Sequence, residues 1–169
     1  MRATGINHVS ISAPDLDASI RFYVQVFGME RVPAPKFPDQ TVAWLQLGEQ
    51  QLHLFQREGA GGPEYHHFAL DVDDFETAYV KIRELEITDE TTFLSGLREL
   101  PGGEAQMYLR DPGGNLVEIN WRDASSLDRS VVTDIVRLVD VVPQDAEGHA
   151  ARLYTAGENR AGQERLGQG

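Results

Sequence analysis

His8, His53, His67 and Glu118 fall at alternating positions of four short apolar-rich segments. Together they supply three imidazoles and one carboxylate, a donor set suited to a single divalent ion such as Ni, Co, Zn, Mn or Fe. Their surroundings recur. NHVSIS at 7–12 matches HHFALD at 66–71, and QLHLF at 51–55 matches LVEIN at 116–120. The offset of 59 residues between His8 and His67 also carries Asp15 onto Asp74, Leu16 onto Phe75 and Ser19 onto Ala78. His53 and Glu118 are 65 residues apart, so six residues are inserted within the second unit, where Leu100, Pro101, Gly102 and Gly103 read as a longer hairpin turn. Duplication relates equivalent positions by a pseudo-twofold axis, so four donors on four strands can converge on one point.

A single histidine on a half-buried strand is more often a hydrogen-bonded structural residue than a ligand. Four donors at repeat-equivalent positions are harder to explain as packing. His66 adjoins His67 and points to the opposite face; the match with His8 selects His67 as the ligand and leaves His66 at the surface or supporting the site. His149 lies in the C-terminal stretch and reads as solvated. An ion held by these groups keeps open positions for water or substrate oxygens and acts as a Lewis acid. Glu118, the only acidic donor of the set, is the candidate general base.

The elements that position these groups follow from periodicity. Ile6 to Ser12 alternates as a strand with Val9 and Ile11 packed. A helix starts after Pro14 with Asp15 as N-cap, Leu16, Ile20, Tyr23, Val24 and Phe27 as its apolar stripe, and Gly28 as its stop. Thr41 to Leu47 and Gln51 to Gln56 read as strands around Gly48-Glu49-Gln50, and the glycine-rich stretch at 57–64 as a linker. In the second unit Phe68 and Leu70 take the packed positions. Asp73 or Asp74 caps a helix carrying Phe75, Ala78, Tyr79, Ile82 and Leu85, and Glu76 can complete a capping box with Asp73. A strand is expected near Ile87 to Phe93, and two more, 106–110 and 115–121, flank the reversal Asp111-Pro112-Gly113-Gly114. Val131, Val132, Ile135, Val136, Leu138 and Val139 show helical spacing up to Pro143, and a short helix is expected over 146–154. By parity Ser10, Trp44, Gln46, Phe55, Ala69, Gln106, Tyr108 and Asn120 line the same face as the metal donors, either as a substrate pocket or as filling for the sheet. Arg98 could steer an anionic group or lie at the surface.

Composition narrows the partners. A net charge of −12, with 15 basic against 27 acidic residues, disfavours nucleic acid and anionic membranes and points to a small-molecule substrate. The absence of cysteine excludes disulfides, thiolate zinc sites and cysteine nucleophiles, and fits a cytoplasmic protein. No stretch has the signature of a signal peptide or of a membrane span. The length of 169 residues suits one domain, 1–122 in repeats of about 5–57 and 64–122, followed by a C-terminal helical extension and tail over 123–169.

The segments NHVSISAPDLDASIRFYVQVFGM, HHFALDV and YLRDPGGNLVEIN resemble the vicinal oxygen chelate superfamily, which includes glyoxalase I, methylmalonyl-CoA epimerase, extradiol dioxygenases and the fosfomycin- and bleomycin-resistance proteins. The resemblance spans about Gly5 to Trp121. It implies an α+β fold: two βαβββ repeats in a curved mixed eight-stranded sheet with a metal on the concave face. The ligands then come from the first and last strands of each unit, here His8, His53, His67 and Glu118. Many members carry Glu or Gln where this chain has His53. The activity implied is that of a metal-dependent lyase or isomerase acting on a small carbonyl compound, with an extradiol-type ring-cleaving dioxygenase and a nonenzymatic ligand-binding resistance protein as alternatives. A fosfomycin-type transferase would need a Ser/Thr-rich basic loop, which the sequence does not mark. The family and the apolar stripe at 131–139 also imply a homodimer.

Overall fold

The computed structural model describes residues 2, 5–58, 65–92 and 96–154. The first repeat runs β1 (His8–Ser12), α1 (Leu16–Phe27), β2 (Glu30–Val32), β3 (Val42–Leu47) and β4 (Gln50–Phe55). The second runs β5 (His67–Asp71), α2 (Phe75–Glu84), β6 (Leu97–Glu99), β7 (Ala105–Arg110) and β8 (Leu116–Trp121). The extension adds the two-residue strand β9 (Val136–Arg137) and the short helices α3 (Leu138–Val141) and α4 (Ala146–Ala150). The first sheet is ordered β1-β4-β3-β2 and the second β5-β8-β7-β6-β9. In both, the outer first strand lies parallel to the last strand of its unit, and the remaining pairs within the unit are antiparallel. The two expected βαβββ units are therefore present, hydrogen-bonded as two sheets.

Alternation decides the faces. Ala43, Leu45, Leu52 and Leu54 of the first sheet and Met107, Leu109, Val117 and Ile119 of the second are buried in one core with Leu16 and Tyr23 of α1 and Phe75 and Ile82 of α2. Leu70 is buried with them, while Val9, Ile11 and Phe68 are half-buried against the same core. Asp15 caps α1, its Oδ1 accepting the Ala18 N–H at 2.8 Å, and Gly28 ends the helix at φ +65°. In α2 the cap is Asp74, which accepts the Thr77 N–H at 2.9 Å. The capping box expected between Asp73 and Glu76 does not form, because Asp74 occupies the cap and Glu76 instead accepts the N–H of Asp128 at 3.0 Å.

The halves are tied by buried polar contacts. The Tyr23 hydroxyl donates to Asp111 Oδ2 at 2.7 Å, and Asn115 Nδ2 donates to the carbonyl of Ser12 at 2.8 Å. Asp111 also accepts the N–H groups of Gly113 and Asn115, which closes the 111–114 reversal. Gly114 adopts φ +77° there, a conformation that favours glycine.

Two expectations are corrected. Instead of a strand near Ile87 to Phe93, Thr88 makes one isolated bridge to Leu109, and the strand forms later, as β6. Asp89 explains this: its carboxylate accepts the Thr92 N–H at 2.8 Å and pairs with Arg110 at 3.0 Å, so side-chain bonding replaces the ladder. Phe93 lies outside the described residues, as do 59–64 of the expected linker. Nor is there a helix across Val131 to Val139. Asp128 bonds the N–H groups of Ser130, Val131 and Val132 in a turn, and Val136–Arg137 pairs in parallel with β6. The β-branched run Val131-Val132-Thr133 is poorly suited to a helix and well suited to this course. Of the helix expected over 146–154 only Ala146–Ala150 forms, as α4, capped by Asp145, and the chain is extended at Ala151. The extension packs against the repeats, since Ala124, Leu127 and Val132 join the core. No described helix is long and apolar enough to cross a membrane.

Candidate functional site

Register places the chemistry. On the open face Ser10, His53 and Trp44 lie opposite one another across β1, β4 and β3, while Ala69, Glu118 and Tyr108 take the corresponding places across β5, β8 and β7. His8 and His67 stand two residues before Ser10 and Ala69, each on the outer strand of its sheet. His8/His53 and His67/Glu118 are thus the same diagonal pair in two copies, as the repeat arithmetic requires.

In the second copy His67 Nε2 is 3.1 Å from Glu118 Oε2. His67 Nδ1 lies 2.9 Å from the carbonyl oxygen of Tyr65. A carbonyl only accepts, so Nδ1 carries the proton and donates, and Nε2 is the nitrogen turned to the carboxylate. Tyr108 meets the His67 ring edge-on at 5.4 Å. Its hydroxyl donates to Glu118, and burial, together with that carboxylate, pushes the phenol well above its ordinary range. Gln106 Nε2 in turn donates to the Tyr108 oxygen at 3.4 Å. Glu118, with its side chain only 5% exposed, is held between an imidazole and a phenol.

In the first copy the rings stack. His8 and His53 lie 4.2 Å apart between ring centroids, and His53 and Trp44 4.3 Å apart and nearly parallel. Gln51 Nε2 donates to Gln46 Oε1 at 3.0 Å, which turns Gln51 Oε1 toward His53 Nε2 at 2.9 Å. Nε2 therefore donates, and Nδ1 keeps the lone pair. Burial, and then the neighbouring His8, hold the His53 pKa below its ordinary value, so the neutral form that can ligate a metal is favoured.

The structure thus brings the four expected ligands together as two pairs. Among the described residues no group of three or more His, Asp or Glu gathers. The outer strands β1 and β5 flank a seam of about 260 Å³ lined by Ser10, Ser12, His66 and His67 among others. Of the expected pocket residues, Gln46 is engaged in the β3–β4 turn through the carbonyls of Gly48 and Gln50, and Phe55 lies between Phe37 and the Arg57 guanidinium. Asn120 is buried, its Oδ1 having no hydrogen-bond partner, and the indole nitrogen of Trp44 is in the same condition. Arg98 shares a register row with Gln106 and donates to its neighbour's carbonyl, that of Leu97. Sequence reasoning missed the groups that orient the histidines. Gln51 could have been found by parity, two residues before His53; Tyr65 could not, because it acts through its backbone carbonyl.

A family model described as the Glyoxalase/Bleomycin resistance protein/Dioxygenase superfamily matches residues 5–119. Mitochondrial methylmalonyl-CoA epimerase of Homo sapiens is 26% identical over 131 residues, covering 68% of this chain and 72% of that protein. Metallothiol transferase FosB of Staphylococcus epidermidis is 25% identical over 126 residues, covering 71% and 83% respectively. The crystal structure of lactoylglutathione lyase from Agrobacterium tumefaciens superposes with a TM-score of 0.54 at 32% identity, covering 70% of this chain and 94% of that one.

Proposed function

The chain belongs to the Glyoxalase/Bleomycin resistance protein/Dioxygenase superfamily, and from that premise we propose that it is a metal-dependent lyase or isomerase acting on a small carbonyl compound by Lewis-acid-assisted proton transfer. The observation that carries this reading is the His67–Glu118 pair. With Nδ1 donating to Tyr65, the lone pair of a neutral His67 faces a carboxylate oxygen at 3.1 Å. Two acceptors so placed repel unless a proton or a cation lies with them, and an imidazole oriented by a carbonyl beside a carboxylate is a frequent metal-ligand arrangement.

By donor type, three imidazoles and one carboxylate suit a divalent ion, although among the described residues they stand as two pairs. His8 and His53 from one half, with His67 and Glu118 from the other, would hold it, one ion per chain. Bound there, it would supply Lewis-acid stabilisation of negative charge developing on a substrate oxygen. The remaining work falls to the chain. Glu118 moves the proton, and Tyr108 holds that carboxylate in place through its hydroxyl. Gln51 and the Tyr65 carbonyl orient the imidazoles of His53 and His67, and Trp44, stacked on His53, gives the site an aromatic surface. The homodimer stays part of this proposal, with Val136 and Val141 of the extension as exposed apolar candidates for its contact.

The test is a substrate screen of protein loaded in turn with Ni, Co, Zn, Mn and Fe(II), using α-ketoaldehyde–thiol adducts, acyl-CoA epimers and catechols. Solvent proton exchange at the carbon next to a carbonyl is the expected result. Oxygen uptake with catechols and Fe(II), without such exchange, would replace this reading with ring-cleaving oxygen chemistry.

A further inference from the structure

One difference between the two halves lies at the end of the last strand of each unit. In the first, Phe55 ends β4, and the guanidinium of Arg57 lies 5.7 Å over its ring. The 65-residue offset carries Phe55 onto Asn120 and Arg57 onto Arg122, so the second half has the arginine but lacks the ring. The C-terminal extension supplies one. Arg122 sits 3.8 Å over the ring of Tyr154, whose hydroxyl donates to Asp71 Oδ1 at 2.5 Å. The segment is anchored nearby, since the Leu153 N–H donates to Glu104 Oε1 at 3.1 Å. Asp71 pairs with Asn120 across β5 and β8, and Asn120 with Gln106 across β8 and β7, so Tyr154 is latched to the end of the row that contains Asn120. Asn120 is 5% exposed, and its Oδ1 has neither solvent nor a hydrogen-bond partner. A buried acceptor without a donor is costly, and a ligand that brings the donor removes the cost.

We propose that Tyr154 and Asn120 form a ligand subsite on the open face of the second sheet, taking a flat ring that carries a hydroxyl or amide N–H. The ring packs against Tyr154, and its donor bonds Asn120 Oδ1. This rests on the reading of the open face as the substrate cavity and adds the class of substrate. Successive open-face rows are spaced by two residues of strand, about 7 Å. A carbonyl at the Glu118 row and a donor at the Asn120 row are thus a para-substituted benzene ring apart. Tyr154 and the extension that carries it lie beyond residues 5–119, the part matched by the family model.

The test uses 4-hydroxyacetophenone and acetophenone as probes, titrated into the full ¹⁵N-labelled chain in EDTA and followed by amide chemical shifts. The hydroxylated probe should bind about tenfold more tightly, the effect of one hydrogen bond to an otherwise unpaired buried acceptor, with shifts at Asn120, Asp71 and Tyr154. Asn120→Leu should bring the ratio of the two affinities to about one. Tyr154→Phe should keep the affinity for acetophenone, and Tyr154→Ala should weaken both probes. Should Asn120→Leu fail to fold, the Tyr154 variants and the wild-type ratio decide. Equal affinity for the two probes, no binding of either, or shifts confined to the first sheet would overturn the subsite. Because the readout is metal-free, metal titration of the same samples keeps failure of the metal-enzyme reading distinct from failure of the subsite.

Discussion

Replacing Glu118 by Gln and by Ala separates what its carboxylate does for the fold from what it does for the reaction. The side chain is buried, accepts the Tyr108 hydroxyl and faces His67 Nε2 at 3.1 Å. In Glu118→Gln the amide oxygen can still accept from Tyr108, while the amide N–H₂ can donate to the His67 lone pair. No void is opened and a buried charge is removed, so the change in metal-free stability should stay within about 1 kcal/mol. Glu118→Ala instead leaves the Tyr108 hydroxyl without its acceptor and opens a cavity. One lost hydrogen bond to a charged group, at ~1.5–3 kcal/mol, together with the lost packing gives about 2–4 kcal/mol. For a chain of this size that lowers Tm by roughly 5–15 °C in a thermal melt. Turnover should behave differently: Glu118→Gln retains metal but loses on the order of 10² to 10⁴ in rate, the contribution of a positioned base. If the Gln variant melts like the Ala variant, the assigned hydrogen bonds are wrong. If it keeps wild-type turnover with metal bound, the base lies elsewhere.

Three further outcomes follow from the same geometry. His53 has a folded pKa below its ordinary 6.5, so as pH falls the unfolded chain takes up the proton first; stability is lost from about that value downward, and His53→Gln should flatten that part of a urea-denaturation series between about pH 5 and 7.5 relative to wild type. Tyr23→Phe breaks the buried bond that ties α1 to the 111–114 reversal and should cost about 1.5–3 kcal/mol in urea, whereas a loss below ~0.5 kcal/mol would show that the halves do not depend on it. Val132→Ala should cost roughly 2 kcal/mol by the same measurement, from two lost methyl groups and the cavity they leave, because the extension packs into the core; a neutral effect would make the extension peripheral.

The parts of this molecule governed by period-two alternation could be read directly. Within each sheet the expected ligands share the open side, His8 with His53 and His67 with Glu118, because Val9, Leu52, Phe68 and Val117 face the core, and a slip of one residue would reverse both sets. The repeat offset also gave the diagonal pairing, since duplication preserves register. What could not be read depended on contacts distant in sequence. β2 is three residues, Glu30–Val32, without an apolar pattern, and is defined by pairing with β3. The run from Val131 has helical spacing, but Asp128 turns the chain and β6 offers an edge, so tertiary pairing overrode the period. Tyr154 reaches the open face only because the extension folds back, and a sequence repeat that ends near residue 121 carries no signal for it.

The central claim is that repeat-equivalent donors hold one divalent ion, and metal affinity measured across a small set of variants tests it most directly. Co(II) or Mn(II) should bind the wild-type chain at about one ion per chain, with His67→Ala costing far more affinity than His66→Ala and the double variant His8→Ala/His67→Ala showing no stoichiometric site. Equal losses at His66 and His67, or stoichiometric binding that survives the double substitution, would contradict the account.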